Sequence, residues 1–328
     1  MMERQASFAG AEYAGKKKTT RREKFLGEME EVVPWARLVA LVEPHYPKGK
    51  RGRPPVGAER MLRLYFLQQW YALADEALED ALYDSHAMRN FAGIDLGSDE
   101  VPDATTLLNF RHLLERHQLT EQIFAEVSAL LSERKLLMRE GTIVDATILA
   151  APSSTKNAAR ARDPEMHQAK KGNQWYFGMK AHIGVDAQSG LVHSMSTTAA
   201  NVSDVAQAHA VMHGAEKSVH ADAGYQGMEK RPEIEAMNSE VQWHIAAKRG
   251  KIRAMGEGLL KQLHQGLEKL KAQARAYVEH PFHIIKNLFR HRKVRYRGLA
   301  KNTVQLFTLF ALANLVIAKR SLLRTAPV

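Results

Sequence analysis

Two aspartates occupy positions where a carboxylate is unfavourable unless it binds a partner. Asp145 lies in the middle of an apolar run, GTIVDATILAA, which predicts a β-strand. Asp222 closes a second short run, KSVHADAGY, directly before Gly224. If the two strands are neighbours, the carboxylates lie side by side, and like charges at short range favour a divalent cation between them. The alternative interpretation is two unrelated aspartates that cap turns.

A third carboxylate is expected downstream. The acids of residues 248–328 are Glu257, Glu268 and Glu279. Glu279 shares one face of a predicted helix with Arg275 and Lys286, which suits a metal ligand beside phosphate-binding cations. A surface ion pair between Glu279 and Arg275 is the alternative. Pro281 predicts that the helix bends just after Glu279 or begins there.

The positive charge is concentrated at the two ends of the chain. The whole chain carries +11, whereas residues 248–328 hold 18 Lys and Arg against 3 acids, a net charge of +15. Residues 1–55 have a net charge of +5, so residues 56–247 carry −9. Basic surfaces usually bind polyanions, although a solvated Lys and Arg surface is the alternative. The chain has no Cys, which excludes disulfides and thiolate metal sites and suits a reducing cytoplasm.

The first half of the chain predicts helices. Residues 1–33 resemble a loose basic arm, and Asp103 or Thr105 suits the N-cap of a helix. Helical spacing of apolar residues predicts Met61–Leu73, Glu76–Asp84, Ala104–His117 and Thr120–Leu137. Such a set of short helices is compatible with an all-α DNA-binding domain.

From Gly141 the pattern changes to alternating strands and helices. The predicted order is three strands, with a hairpin turn at Asp186–Gly190, then helix, strand, helix and strand. A Lys-rich helical stretch, Leu259–Arg290, and a last helix, Asn302–Leu323, follow. The apolar segment Val304–Ala318 contains three polar residues, which favours a buried helix over a membrane span. The sequence therefore predicts an α/β fold with a mixed sheet flanked by helices.

Several stretches together resemble the insertion-sequence-5 family of bacterial DDE transposases, within the insertion-sequence-4 superfamily. They include MLRLYFLQQWYALADEALEDALYDS, IVDATILAAPSSTKN, GNQWYFGMKAHIGVDAQSGLVHS, ADAGYQGMEKRPE and VEHPFHIIK. The resemblance implies a ribonuclease-H-like catalytic domain, which we expect at residues 138–328. The helical pattern predicts a DNA-binding domain at 56–137, and the charge pattern predicts a basic arm at 1–55. The resemblance also implies that Asp145, Asp222 and Glu279 are the catalytic and metal-binding triad. The family's Tyr-Arg-Glu-Lys signature fits Arg275, Glu279 and Lys286 in spacing, but Ala272 replaces its Tyr.

The resemblance further implies chemistry and partners. Two Mg²⁺ or Mn²⁺ ions about 4 Å apart would share Asp145 and promote strand cleavage and strand transfer. The implied partners are double-stranded DNA, as terminal inverted repeats and target, and further copies of the chain in a homodimer or larger synaptic assembly. We expect a bacterial cytoplasmic, nucleoid-associated protein without a membrane partner. The alternatives are an inactive relative that only binds DNA and another nuclease of the ribonuclease-H fold.

Other residues are weaker candidates for DNA contact. Arg51-Gly52-Arg53-Pro54 resembles an AT-hook core, which lays two arginines into a narrow minor groove, although a basic linker is equally compatible. Trp243 is a candidate for stacking an unpaired base, and a core Trp is the alternative. The candidate DNA-contacting cations are Arg51, Arg53, Lys180, Arg275, Lys286, Lys293, Arg295 and Arg297.

Overall fold

A computed structural model describes residues 16–49, 54–237 and 240–325. The chain divides into two compact units, one up to Gln122 together with the residues from Lys319, and one of Ile123–Ala318. The boundary after Gln122 lies within helix α7 (Leu119–Glu133), whereas the change of sequence pattern lies near residue 137. Most of α7 belongs to the second unit, where Phe124 contacts Phe307 with ring centroids 5.9 Å apart.

The described residues of the first unit form helices and no β-strand. Asp103 caps α6, accepting a hydrogen bond from the Thr106 backbone N–H at 2.7 Å, as predicted. The helices that precede α7 are α1 (Arg21–Val32), α2 (Trp35–Val42), α3 (Ala58–Tyr71), α4 (Asp75–Asp84), α5 (His86–Ala92) and α6 (Ala104–Arg116).

Helix α1 replaces part of the loose arm expected for residues 1–33. The Thr20 hydroxyl accepts from the Glu23 N–H, and the Glu23 carboxylate accepts from the Thr20 N–H, which together make a capping box. Leu26 and Met29 are buried. The basic residues around these apolar positions therefore lie on a helix that contributes to the core of the first unit.

The second unit is built on a mixed six-stranded sheet, which confirms the predicted α/β class. Strands β5 and β6 are parallel to β1, whereas β3 is antiparallel to β1, β2 and β4. The order is β2-β3-β1-β5-β6, and β4 pairs with the C-terminal part of β3. The strands are β1 (Gly141–Ala150), β2 (His167–Lys171), β3 (Gln174–Asp186), β4 (Val192–Ala199), β5 (Ser218–Ala221) and β6 (Gln242–Ile245). Strand β2 was not predicted because its HQAKK sequence has no apolar alternation.

The connections between β4 and β6 are shorter helices than the sequence suggested. The helix expected after β4 is α8 (Asp204–Gln207) followed by a 3₁₀ turn, Ala208–Val211. The next predicted helix shrinks to a 3₁₀ turn, Met228–Lys230, and α9 (Pro232–Glu235). Gly227 adopts a positive φ of 91° there, which interrupts a right-handed helix. These elements cover one face of the sheet through an apolar cluster.

A chain of helical segments follows β6, beginning with α10 (Arg249–Arg253) and α11 (Leu259–Arg275). A 3₁₀ turn, Ala276–Val278, then leads into α12 (Glu279–His283) and a π-helical turn, Ile284–Leu288. Pro281 has no N–H to donate within an α-helix, which agrees with a tighter turn before it and a new segment that begins at Glu279.

The last helix, α13 (Leu299–Thr325), is long and apolar enough to cross a membrane, the one such helix among the described residues. However, 61% of its most apolar window is buried within the protein. The Asn314 side chain accepts from the Val192 N–H at 2.8 Å and donates to the Val192 carbonyl at 2.7 Å. These contacts with the edge of β4 identify a core helix, as predicted for Val304–Ala318.

Candidate active site

Asp145 and Asp222 stand at the same level of the sheet. Strands β1 and β5 are parallel neighbours, and Ile143 lies opposite His220. When this register is continued by two residues on each strand, Asp145 lies level with Asp222, which directly follows the end of β5. Residues two apart on a strand share a face, so both carboxylates belong to the same face of the sheet.

The carboxylate of Asp145 has little compensation for its charge. It accepts one hydrogen bond in the described part of the chain, from the Ala146 N–H at 2.7 Å. Burial raises the pKa of Asp145 to about 6, and the charges of Asp222 and Glu279 act in the same direction. The Ala146 hydrogen bond and the positive charge of Arg275 partly oppose this rise in pKa. A bound cation would stabilise the charged form.

Asp186 shows what a structural aspartate in this sheet looks like. It is fully buried, yet its oxygens accept hydrogen bonds from the backbone N–H groups of Met138, Arg139, Gln188 and Ser189 at 2.6–3.1 Å. These donors tie the β3–β4 turn to the segment before β1. The described residues give Asp145 a single such donor, so local hydrogen bonds do not account for its position.

Asp222 is held by the turn that follows β5. Its side chain caps the 3₁₀ turn Ala223–Tyr225 and accepts from the Gly224 N–H at 2.7 Å. A Cβ at Gly224 would lie 2.9 Å from the Asp222 Oδ1, so glycine permits this close approach. Tyr225 is buried, and burial followed by the charges of Asp145, Asp204 and Asp222 raises the pKa of its hydroxyl.

Glu279 approaches the pair from the helical chain. The 3₁₀ turn Ala276–Val278 packs against β1, with Val278 fully buried, and Glu279 follows it as an exposed residue. The other two acids of this region have partners elsewhere. Glu268 accepts from the Ala247 N–H at 2.9 Å, and Glu257 forms a surface ion pair with Lys261.

The chemistry of the three side chains suits a hard cation. Carboxylate oxygens are the ligands preferred by Mg²⁺ and Mn²⁺. Asp222 follows the strand beside β1, the turn before Glu279 packs against β1, and the charges of both acids raise the pKa of Asp145. However, among the described residues no three His, Asp or Glu side chains are close enough to hold one ion. The donor types therefore fit a divalent metal, while their spacing is wider than that of a chelating set.

Two imidazoles lie on the same face of the sheet as Asp222, beginning two residues before it on β5. His220 of β5 stacks on His244 of β6, with ring centroids 4.6 Å apart. Burial, followed by the neighbouring ring, lowers the pKa of His220 to about 4. His220 is therefore neutral at pH 7 and gives the carboxylates no positive charge.

Cations gather at the far end of β1. The Lys286 ammonium donates to the Thr147 hydroxyl at 2.6 Å and to the Ile148 carbonyl at 2.9 Å. Burial lowers the pKa of Lys286, and the charges of Lys171 and Arg292 lower it further. Lys286 therefore fastens the π-helical turn to β1 beside other cations.

The segment after Lys286 extends this charge along the sheet. The Val294 N–H donates to the Ala150 carbonyl at 2.9 Å, so the segment pairs with the last residue of β1. Val294 is buried, whereas the basic residues around it are exposed. We name the basic edge as Lys171, Lys286, Arg292, Lys293, Arg295 and Arg297. Lys171 and Arg292 were not singled out from the sequence, because only folding brings them to the end of β1.

Lys180 and His182 lie on the opposite face of the sheet. Asp145 is paired with Ile183, so the even-numbered neighbours of Ile183 point away from the carboxylates. Lys180 forms an ion pair with Asp204 at 2.9 Å, and His182 is buried beside the same carboxylate. This placement gives no support to the expectation that Lys180 touches phosphate beside the site.

Trp243 takes the core position that is the alternative to base stacking, and a different Trp is exposed. Trp243 is half-buried and packs against the apolar cluster that contains Val219, which suits a core residue. Trp175, at the start of β3, is instead 63% exposed and lies opposite Lys170 of β2. The sequence contains no local signal for this exposure. The AT-hook residues Arg51 and Arg53 lie outside the described residues.

The fold and this site define an α/β protein whose sheet carries acidic residues beside a basic edge. A family model described as "Transposase DDE domain" matches residues 137–315, and one described as "Transposase domain" matches residues 14–113. The first match covers more than half of the chain, and the protein belongs to the DDE transposase family. No solved structure matches this chain.

Proposed function

We propose that this protein is a DNA transposase of the insertion-sequence-5 family, within the insertion-sequence-4 superfamily. In this proposal it binds the terminal inverted repeats of its element and catalyses two-metal strand cleavage and strand transfer. The observation that carries the proposal is the level pair of Asp145 and Asp222 on parallel strands, with the turn before Glu279 packed against the same β1.

The strand order supports a ribonuclease-H-like catalytic domain. Strands β4, β3 and β1 form an antiparallel series, and β5 and β6 continue the sheet in parallel with β1. This arrangement brings the centre of β1 beside the end of β5, where carboxylates can be shared by metal ions. In the same proposal the helical residues 56–137 recognise DNA, and the basic arm before them adds phosphate and minor-groove contacts.

Each charged group then has a role in phosphoryl transfer. Asp145, Asp222 and Glu279 would hold the metal ions. When bound, Mg²⁺ or Mn²⁺ lowers the pKa of the attacking water or 3′-hydroxyl and neutralises charge at the leaving oxygen. Arg275, whose charge acts on Asp145, is positioned to offset phosphate charge near the acids. The basic edge would orient the DNA backbone so that the scissile phosphate lies in line with its nucleophile.

Two DNA ends must be held together during transposition, so we propose that the active form is a homodimer or a larger synaptic assembly. In this proposal the protein works on DNA in the bacterial cytoplasm.

A cleavage assay on a duplex that carries the element's inverted repeat tests this function. We expect Mg²⁺-dependent nicking at the repeat boundary and joining of the freed 3′ end to a second duplex. Binding without cleavage would instead indicate an inactive relative that acts as a DNA-binding protein. Cleavage that ignores the repeat would indicate another nuclease of this fold.

A further inference from the structure

Helix α11 exposes its apolar side and turns its polar side inward. The helix contains no buried residue, and its leucines are between 54 and 72% exposed. We name the leucine stripe as Leu259, Leu260, Leu263, Leu267, Leu270 and Ala274, which fall within an arc of about 100°. A surface helix normally buries such an arc.

The inward contacts explain how the helix is held in this orientation. Glu268 accepts from the Ala247 N–H at 2.9 Å, and Lys271 donates to the Ile245 carbonyl at 2.9 Å. Both contacts are with the end of β6 and the residues after it. The polar side of α11 therefore faces the sheet and the leucine stripe faces solvent. Only a partner can remove the stripe from water.

The order of residues along the stripe points to a second copy of the chain. About a centre between Gly266 and Leu267, Leu267 mirrors the small Gly266, and Leu260 mirrors Gln273 at the border of the stripe. Leu263 mirrors Leu270, and Leu259 mirrors Ala274. A two-fold axis at this centre would bring each residue of one antiparallel helix against its mirror in the other, as a self-complementary interface requires.

The residues around the stripe are compatible with that pairing. Gly266 has open space around the position of a Cβ, so the two backbones can approach closely at the centre. Gln262 and Gln273 border one side of the stripe without adding charge. The stripe itself carries no Lys or Arg, which makes DNA an unsuitable occupant.

We propose that the leucine stripes of two copies pair as antiparallel helices and form the homodimer. This inference deepens the proposed synaptic assembly, but the pairing requires neither DNA nor catalysis. A helix of 17 residues is about 25 Å long, so one helix pair is shorter than a standard protein interface. We therefore expect a concentration-dependent equilibrium between monomer and dimer without DNA.

Single cysteines test the geometry directly, because the natural chain contains none. Leu267→Cys lies next to the proposed axis and is expected to give a disulfide-linked dimer on oxidation. Leu259→Cys would be about 22 Å from its counterpart along the helix axis, beyond the reach of a disulfide. Gln265→Cys, which is exposed on the same helix but off the stripe, is the matched control: it should still dimerise through the stripe but give no disulfide-linked dimer.

Sedimentation of the full-length protein without DNA provides the second measurement. Leu263→Lys should weaken dimerisation at least tenfold while leaving the circular dichroism spectrum unchanged, because Leu263 is exposed. Absence of a cross-link at Leu267→Cys, or an equal cross-link at Leu259→Cys, overturns the antiparallel pair. A monomeric wild type at all concentrations also overturns it. A protein that dimerises in this way but does not cut DNA would contradict the proposed function alone.

Discussion

Asp145 of β1 and Asp222, directly after β5, are brought level by the parallel register of their two strands. The two residues are far apart in sequence, and the turn that follows β5 holds Asp222, whose side chain accepts from the Gly224 N–H. Within the described part of the chain Asp145 accepts a single backbone hydrogen bond, in contrast to Asp186 of the same sheet. The small number of donors to Asp145 is the observation that supports our proposal of a cation site at this pair.

Replacing Asp145 should stabilise the metal-free protein. Burial raises its pKa from 3.8 to about 6, so the folded carboxyl binds its proton more tightly than the unfolded one. Stability is therefore lost as the pH rises from about 4 to about 6, and this cost remains above pH 6. We expect Asp145→Asn to raise the free energy of unfolding by about 1–3 kcal/mol at pH 7.5 in EDTA, with no gain at pH 3. Urea denaturation of both proteins at the two pH values measures this difference in the free energy of unfolding.

In magnesium, the wild type should become more stable than Asp145→Asn. A ligand that binds only the folded state raises the melting temperature of the wild type, and Asp145→Asn should lose this response. Asp186→Asn is the matched control, since it removes an acceptor of several backbone hydrogen bonds and should lower stability by about 1–3 kcal/mol with or without metal. An equal magnesium response in wild type and Asp145→Asn would contradict a metal site at this aspartate.

Glu279→Gln should stop strand cleavage and leave DNA binding intact, because the substitution keeps the shape of the side chain and removes its charge. Glu268→Gln and Glu257→Gln are the controls, since these acids bind Lys271 and Lys261. Both controls should retain cleavage in the same assay. If Glu268→Gln or Glu257→Gln abolished cleavage while Glu279→Gln did not, the third carboxylate would be assigned to the wrong residue.

The basic edge should contribute to the salt dependence of DNA binding. Lys171→Ala and Lys293→Ala should each reduce the slope of log K against log salt by about 0.9 for every phosphate that the variant no longer neutralises. Lys217→Ala is the control, because Lys217 is an exposed cation at the other end of β5, paired with Glu140. Fluorescence anisotropy across a salt series gives the slopes, and identical slopes for all three variants would remove the basic edge from the DNA interface.

The AT-hook hypothesis is tested by Arg51→Ala combined with Arg53→Ala. Deletion of residues 1–55 is unsuitable, because it removes α1 and α2, whose Met29 and Leu38 are fully buried. We expect the double variant to bind A·T-rich ends more weakly and with a flatter salt dependence. Unchanged affinity for A·T-rich and G·C-rich duplexes would leave the segment as a basic linker.

Periodicity predicted the strands around Asp145 and Asp222 and the hairpin at Asp186–Gly190, because each has a local apolar pattern bounded by turn residues. It did not predict β2, because the exposed HQAKK sequence has no apolar pattern of its own. This segment forms a strand by pairing with β3. Periodicity also treated the α1 region as a loose arm, since basic residues surround its buried Leu26 and Met29.

For the site, single residues could be chosen from the sequence, but not their surroundings. The carboxylates could be selected because Asp145 and Asp222 belong to apolar runs and Glu279 lies among basic residues. Lys171 and Arg292 did not, since only the end of β1 brings them together. Lys180 was expected near the acids on strand position alone, and alternation along β3 sends it to the opposite face, where it binds Asp204.

Cleavage by Asp145→Asn and by Asp222→Asn is the most direct test of the site. Both proteins should be assayed in Mg²⁺ on a duplex that carries the inverted repeat, with binding to the same duplex measured in parallel. We predict near-wild-type binding and no detectable cleavage by either variant. Cleavage above a few per cent of the wild-type rate by either variant would show that the level pair of carboxylates is not the catalytic metal site.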